Sequence, residues 1–319
     1  MPTIDVAAQV RAAEERARPY LLTTPAVSSI GLSAAVGSPV VLKCENLQHT
    51  GSFKARGAVS KVLSLTAEEL ERGIVTASTG NHGAAVAYAG SIVGVAPTVV
   101  VPDNANPSKL AAIERLGGHI EVQGTDSVES ELGARRAAEE RGLTFVSPYN
   151  DPAVIGGQGT LGLDLLEQFP DLSAVFVAVG GVGLSSGVAG IVKAVSPGIR
   201  VIGCSPANSA VMYHSLQAGQ ILDMPSDPTL SDGTAGGVEP DAITFDILDA
   251  LLDDFVTVEE DAIREAFLEL IEVEHLLVEG SAAMAYAAAS ANARATEGTT
   301  AVILCGGNVG VEKLRGILG

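Results

Sequence analysis

The chain is poor in cysteine and in basic residues, and it has no tryptophan. Its three cysteines, Cys44, Cys204 and Cys305, are odd in number and form no Cys-x-x-Cys pair. That spacing suggests neither a disulfide framework nor a zinc site. Lys and Arg total 19 against 38 Asp and Glu, a net charge of −19. Such a field repels phosphate backbones and anionic lipid, so nucleic-acid and membrane partners are not expected. Any bound phosphate must be held locally, by backbone N–H groups. No signal peptide is visible in Met-Pro-Thr-Ile-Asp-Val or in the charged stretch from Arg11 to Arg18. The uncharged run from Ala84 to Pro102 reaches membrane-spanning length, but Gly90, Ser91, Gly94 and Pro97 split it into a helix and a strand. A soluble cytoplasmic protein is the expectation.

What is present is a large apolar fraction. Hydrophobic residues make up 47% of 319 and charged residues 18%, enough for one large domain or two. From Ile74 the chain alternates β-branched runs with helical stretches. Strands are expected at Ile74–Ala77, Thr98–Val101, Ile120–Val122 and Thr144–Ser147, with helices at 81–93, 107–116 and 127–141 between them. That alternation indicates parallel β/α units. A second set follows. It has a helix over 156–169, a strand at Ala174–Val179, a helix over 185–195, and strands at Val201–Cys204 and Ala301–Cys305. Thr66-Ala67-Glu68-Glu69 and Thr257-Val258-Glu259-Glu260 both read as capping boxes, the second opening a helix to about His275. The segment from Ile221 to Pro240 reads as a long functional loop or a linker.

Lysine is scarce, with six in the chain. One of them, Lys54, follows Gly51-Ser52-Phe53 directly. A Gly-Ser turn lets the backbone approach a ligand, and Phe53 offers an apolar wall. An amine used as a covalent handle must be partly deprotonated, which requires removal from water or a nearby cation. The segment fits a surface lysine opening a helix over 54–65 as well.

Three glycine-rich turns accompany it. Gly180-Gly181-Val182-Gly183-Leu184 ends a strand and opens a helix, where free N–H groups and the helix dipole suit a phosphate. A dinucleotide fits less well, because Ser186 replaces the third Gly of G-x-G-x-x-G and the next strand ends at Ser205, not at an acid. Ser78-Thr79-Gly80-Asn81-His82 offers convergent donors to a carboxylate, or is a plain strand-to-helix turn. Cys305-Gly306-Gly307-Asn308 follows an apolar strand, and its thiol reads equally as a small buried hydrophobe. Ser231 to Gly237 lines a ligand pocket or forms a flexible turn.

Taken together, these segments resemble the serine/threonine dehydratase and serine racemase family of fold-type II pyridoxal-phosphate enzymes. The resemblance runs across nearly the whole chain and includes Gly156-Gly157-Gln158-Gly159-Thr160. Phe-Lys-Ala-Arg-Gly-Ala looks like the dehydratase and racemase form of the lysine motif. The resemblance implies a tryptophan synthase β-like α/β fold with two domains, each a mostly parallel twisted sheet flanked by helices. Residues 1–72 and 149–319 would form the large domain, and 73–148 the small one. Pyridoxal 5′-phosphate would be the cofactor. Lys54 would bond to its aldehyde, Phe53 would lie beside the ring, and Asn81 would bind the ring hydroxyl. Gly180, Gly181, Val182, Gly183 and Leu184 would bind the phosphate, and Cys305 would face the pyridine nitrogen. Ser78, Thr79, Asn81 and His82 would hold the substrate carboxylate. A homodimer is implied as well.

Two departures from the family pattern stand out. Val182 replaces a glycine in the phosphate loop, which is then expected to avoid φ > 0 there. Ser205 and Val211 stand where many relatives carry metal-binding acids, so no divalent metal is expected at that position.

The activity implied is dehydration of a β-hydroxy-α-amino acid such as L-threonine or L-serine. Lys54 would take the Cα proton, the β-hydroxyl would leave, and hydrolysis would give a 2-oxo acid and ammonia. A thiol at Cys305 would not keep the ring nitrogen protonated as a carboxylate would. Thr79 stands where the racemases carry the second serine of their loop, so racemisation is read as a side reaction. Asp232 to Gly237 and Val278 to Ala283 look closer to the hydroxyectoine-utilisation dehydratase branch than to the biosynthetic threonine dehydratases. Glu279 is a candidate polar group near the ring, or else a solvated or capping acid.

Overall fold

The computed structural model describes residues 4–319. Ten strands run along the described chain: β1 (Ala26–Ser28), β2 (Val40–Cys44), β3 (Ile74–Ala77), β4 (Thr98–Val101), β5 (His119–Val122), β6 (Thr144–Phe145), β7 (Leu172–Ala178), β8 (Arg200–Pro206), β9 (Asp254–Val258) and β10 (Thr299–Leu304). They form two sheets. One has six strands in the order β1-β2-β10-β7-β8-β9, and the other has four in the order β5-β4-β3-β6. Every pairing is parallel except β1 with β2. This is the α/β architecture expected from the alternation of strands and helices. The four-stranded sheet is drawn entirely from residues 74–145, and the remaining strands build the larger sheet.

The apolar runs dictate the core. Strands β2, β7, β8 and β10 are buried nearly throughout, as parallel strands covered on both faces must be. The small-residue helices Gly183–Val195 and Gly280–Asn292 pack closely over them. Helix Gly183–Val195 meets helix Pro152–Gln168 glycine to glycine: a Cβ on Gly187 would lie 2.5 Å from the Gly159 amide nitrogen. The uncharged run from Ala84 to Pro102 becomes the end of helix Asn81–Val93 and strand β4. No helix among the described residues is long and apolar enough to cross a membrane.

Several local expectations need correction. The helix expected from Gly156 begins at Pro152, because Asp151 caps it by accepting from the Ala153 and Val154 amides. The helix that opens at Lys54 ends at Val62, and the strand at Thr144 stops at Phe145. Thr66 and Glu69 form the expected capping box. Thr257 does not: it lies within β9, and helix Glu260–Glu272 starts after Glu259 with no side-chain cap.

The helix Lys54–Val62 lies between the two sheets' helices. It packs on helix Asn81–Val93 from one side and on Pro152–Gln168 from the other. Its Ala58, Val59 and Val62 share a core with Ile74, Ala85, Val86 and Ala89 of the smaller unit. The same helix is pinned by a buried ionic cluster. Arg56 donates to Glu45 at 2.8 and 2.9 Å, to Asp164 at 2.6 Å and to Thr160 at 3.0 Å. Burial of such charges is tolerated only when each is paired, so the cluster locks the helix to the end of β2 and to helix Pro152–Gln168.

Candidate active site

The Gly51-Ser52-Phe53 turn is tied to the loop after β10. The Phe53 amide donates to the Cys305 carbonyl at 2.9 Å, and the Gly307 amide to that of Gly51 at 2.9 Å. Gly51 itself has φ +73, and an added Cβ would lie 2.6 Å from the Asn308 amide oxygen. Lys54 is thereby set at the first turn of its helix, with its ammonium donating to the Pro148 carbonyl at 2.8 Å. The Phe53 ring lies 5.2 Å from that nitrogen. Burial pulls the Lys54 pKa down to about 8, against the opposing pull of Glu279 and Cys305. Of the two sequence readings, the desolvated handle is the one the surroundings favour.

Asn81 opens helix Asn81–Val93, whose N-cap position is Gly80, without a capping side chain. The first amides of that helix are therefore free to bind an anion. Ser78 accepts from the Gly80 amide at 3.1 Å, which shapes the turn, and Thr79 sits beside it, half-buried. The Asn81 side chain donates to both oxygens of Glu279, at 3.1 and 2.9 Å, and accepts from Asn308 at 2.7 Å. His82 is placed differently from expectation. Its Nε2–H donates to the Val146 carbonyl at 3.0 Å, and Nδ1 is buried without a partner. Burial, reinforced by the Lys54 charge, pulls its pKa down to about 3. The ring is neutral, so only the His82 backbone N–H remains to meet a carboxylate.

The glycine turn at Gly180–Val182 joins β7 to helix Gly183–Val195, whose first two residues are Gly183 and Leu184. A Cβ on Gly180 would lie 2.7 Å from Thr234, and one on Gly181 would lie 2.4 Å from the Tyr149 ring. Val182 overturns the expectation of a negative φ: it stands at φ +78, ψ −5. Burial among Val179, Met212 and Leu248 offsets that strain. The segment from Ser231 supplies a buried hydroxyl cluster against the loop. Ser231 and Thr234 hydroxyls lie 2.6 Å apart, and Ser231 reaches Ser281 at 3.2 Å.

Cys305 is buried, and among the described residues the one side chain its sulfur hydrogen-bonds is Glu279, at 3.8 Å. Glu279 occupies the N-cap position of helix Gly280–Asn292 yet makes no cap, because its carboxyl is turned to Asn81 and Cys305. That settles the sequence ambiguity against a solvated or capping acid. Sequence reasoning missed Asn308 as the group that orients Asn81, and Pro148 as the acceptor for Lys54. Neither carries a residue-type signal. Ser205 donates to the Val179 carbonyl at 2.9 Å, and Val211 begins a helix with its side chain buried.

Lys54 donates to Pro148, and the next residue, Tyr149, packs on Gly181 and Gly183, so the desolvated amine and the glycine loop are brought to one region, an arrangement suited to an aldehyde that also carries a phosphate. A family model described as pyridoxal-phosphate dependent enzyme matches residues 18–306. The chain belongs to that family. L-Threonine ammonia-lyase of Geobacter sulfurreducens is 39% identical over 307 residues, covering 96% of this chain and 76% of the relative. Maize serine racemase superposes with a TM-score of 0.92 at 35% identity, covering 98% of this chain and 96% of the other. The processed threonine deaminase isoform 2 of Solanum lycopersicum gives a TM-score of 0.92 at 31% identity, covering 98% and 92%. The cofactor is pyridoxal phosphate, and the residues present fit it. The Gly180–Leu184 amides suit its phosphate, and the Ser186 hydroxyl at the helix start is buried without a partner.

Proposed function

We propose that the chain is a dehydratase, an ammonia-lyase that converts a β-hydroxy-α-amino acid such as L-threonine or L-serine to a 2-oxo acid and ammonia. The observation that carries this is Lys54, an amine held at the head of a buried helix with its pKa lowered to about 8. The threonine ammonia-lyase and threonine deaminase relatives support the substrate class. Pyridoxal phosphate, when bound, supplies the electron sink. Gly180, Gly181, Val182, Gly183 and Leu184 hold its phosphate by their amides. Phe53 walls the ring, Asn81 meets the ring hydroxyl, and Cys305 meets the ring nitrogen. Ser78, Thr79 and the first amides of helix Asn81–Val93 hold the substrate carboxylate. Lys54, with its amine free, would take the Cα proton of the bound substrate.

Residues 73–148 form a small domain that closes over the substrate, and residues 1–72 with 149–319 form the large one. Helix Lys54–Val62, packed against both, is the floor of the cleft. The protein works in the cytoplasm, which suits three buried free cysteines. It is a homodimer. Edge strand β1 and the residue after next expose Val27 and Ile30, the latter 82% accessible, and Tyr20, Leu22 and Leu47 are exposed nearby.

A second reading, serine racemase, is favoured by the similarity to maize serine racemase and by the hydroxyl at Thr79. The purified protein is incubated with pyridoxal phosphate and with threonine, serine, 3-hydroxyaspartate or a hydroxyectoine-derived diamino acid. Formation of 2-oxo acid from any of them is the expected result, and the hydroxyectoine branch predicts the last as best. Chiral analysis of leftover serine separates racemase from dehydratase. A preparation that stays colourless and yields no borohydride-trapped adduct at Lys54 would falsify the proposal.

A further inference from the structure

Glu279 is a buried acid, 8% exposed, with no ion-pair partner among the described residues. Both of its oxygens accept from Asn81, and the other hydrogen-bonding atom on Oε1 is the sulfur of Cys305. The carboxyl lies so close to the chain that a Cβ on Gly306 would stand 2.6 Å from Oε1. The amide of Asn81 has no freedom to turn away, since its oxygen is held by Asn308.

These contacts define a proton-counting problem. Asn81 fills one lone pair on each carboxyl oxygen by donation. If Glu279 carries a proton, that proton must donate, and Cys305 Sγ is the acceptor in place. The thiol has one proton of its own. With Sγ accepting from the acid, the S–H is free to point elsewhere. With Glu279 ionised, the S–H is drawn to the carboxylate.

Resting on the proposed function, we infer that Glu279 is a positioning residue that aims the Cys305 thiol proton: neutral Glu279 releases it toward the cofactor's ring nitrogen, and ionised Glu279 takes it away. The thiol, which by itself would not keep the ring nitrogen protonated, is thus one half of an acid pair. Burial raises the Glu279 carboxyl pKa, and the charge on Asp232 adds to this, while Asn81, Cys305 and Lys109 oppose it. Burial, with Glu279 alongside, raises the Cys305 thiol well above its usual range, so the carboxyl titrates first. Lys54, near both groups, keeps its own depressed pKa in the same field.

The test reads the thiol directly. The S–H stretch is recorded by infrared in the cofactor-free and cofactor-loaded protein across pH, and Cys305→Ala identifies the Cys305 band. In the wild type this band moves to lower wavenumber as Glu279 ionises. In Glu279→Gln and Glu279→Ala it stays fixed. The visible absorption of the loaded wild type shifts with the same pH midpoint, and the shift is lost in Glu279→Gln and Cys305→Ala. A Cys305 band that ignores pH in the wild type and is unmoved in both Glu279 variants overturns the inference, even with cofactor trapped at Lys54. Failure to trap cofactor at Lys54 overturns the proposed function instead.

Discussion

The Asn81 side-chain nitrogen lies 2.9 Å from Glu279 Oε2 and 3.1 Å from Oε1, joining residues 198 positions apart. Asn81 belongs to the four-stranded unit, whereas Glu279 and Asn308 belong to the six-stranded one. The amide therefore bridges the two units at the site. Replacing it with a carboxylate sets two acids against each other in a buried place, where like charges cannot both ionise. Asn81→Asp is expected to weaken cofactor retention more than Asn81→Ala does, despite being closer in shape. Cofactor release in equilibrium dialysis at neutral pH measures this. The reverse order would show that the bridge to Glu279 has no energetic weight.

The depressed Lys54 pKa has a kinetic consequence. Only the neutral amine attacks an aldehyde. Below its pKa the neutral fraction falls tenfold per pH unit, so an ordinary lysine at ~10.4 would be about 0.04% neutral at pH 7. Lys54, lowered to about 8, keeps a far larger fraction available. Uptake of pyridoxal phosphate by cofactor-free protein should rise with pH up to about 8 and then level off. Stopped-flow absorbance gives the profile. A rise continuing to pH 10 would mean that Lys54 is solvated in solution.

Much of the fold was legible because its signals are local. Strands β3 and β4 and helices Asn81–Val93 and Ser127–Arg141 fall at the expected residues, since β-branched runs and caps declare themselves within a few positions. Thr257 misled because a sequence that fits a capping box was already committed to β9. The lysine and glycine turns were readable as chemistry because they are contiguous. The partners of Asn81, His82 and Cys305 were not, because Glu279, Asn308 and Val146 reach them only through the tertiary fold. Val182 went wrong for a different reason: backbone sterics alone argue against a β-branched residue at φ +78, and the compensating apolar nest is non-local.

Val182 offers a test of that compensation. Truncation to alanine removes buried methyl groups while leaving the unfavourable φ. Glycine removes the same packing but relieves the backbone, a relief of order 1–3 kcal/mol. In an ordinary buried position Gly is worse than Ala by about 1 kcal/mol. Here Val182→Gly is expected to be at least as stable as Val182→Ala in urea melts. Phosphate affinity should change little in both, because the backbone N–H donors persist. If alanine is clearly the more stable, the left-handed conformation at residue 182 carries no strain.

His82 should govern part of the acid sensitivity. Buried as a neutral ring, it has its pKa lowered to about 3 from 6.5. Between those values the unfolded chain binds a proton that the folded chain refuses. Stability present above pH 6.5 is therefore lost as pH falls toward 3, by roughly 1.4 kcal/mol per unit for this group alone. Glutamine can place an amide N–H near the Val146 carbonyl and has no proton to gain. His82→Gln is expected to cost some stability at pH 7 through imperfect packing, yet to lose less between pH 6.5 and 4. Paired urea titrations of the two proteins isolate the difference, because carboxylate protonation is common to both. Parallel pH slopes would mean that the ring takes up its proton in the folded state, through water reaching Nδ1.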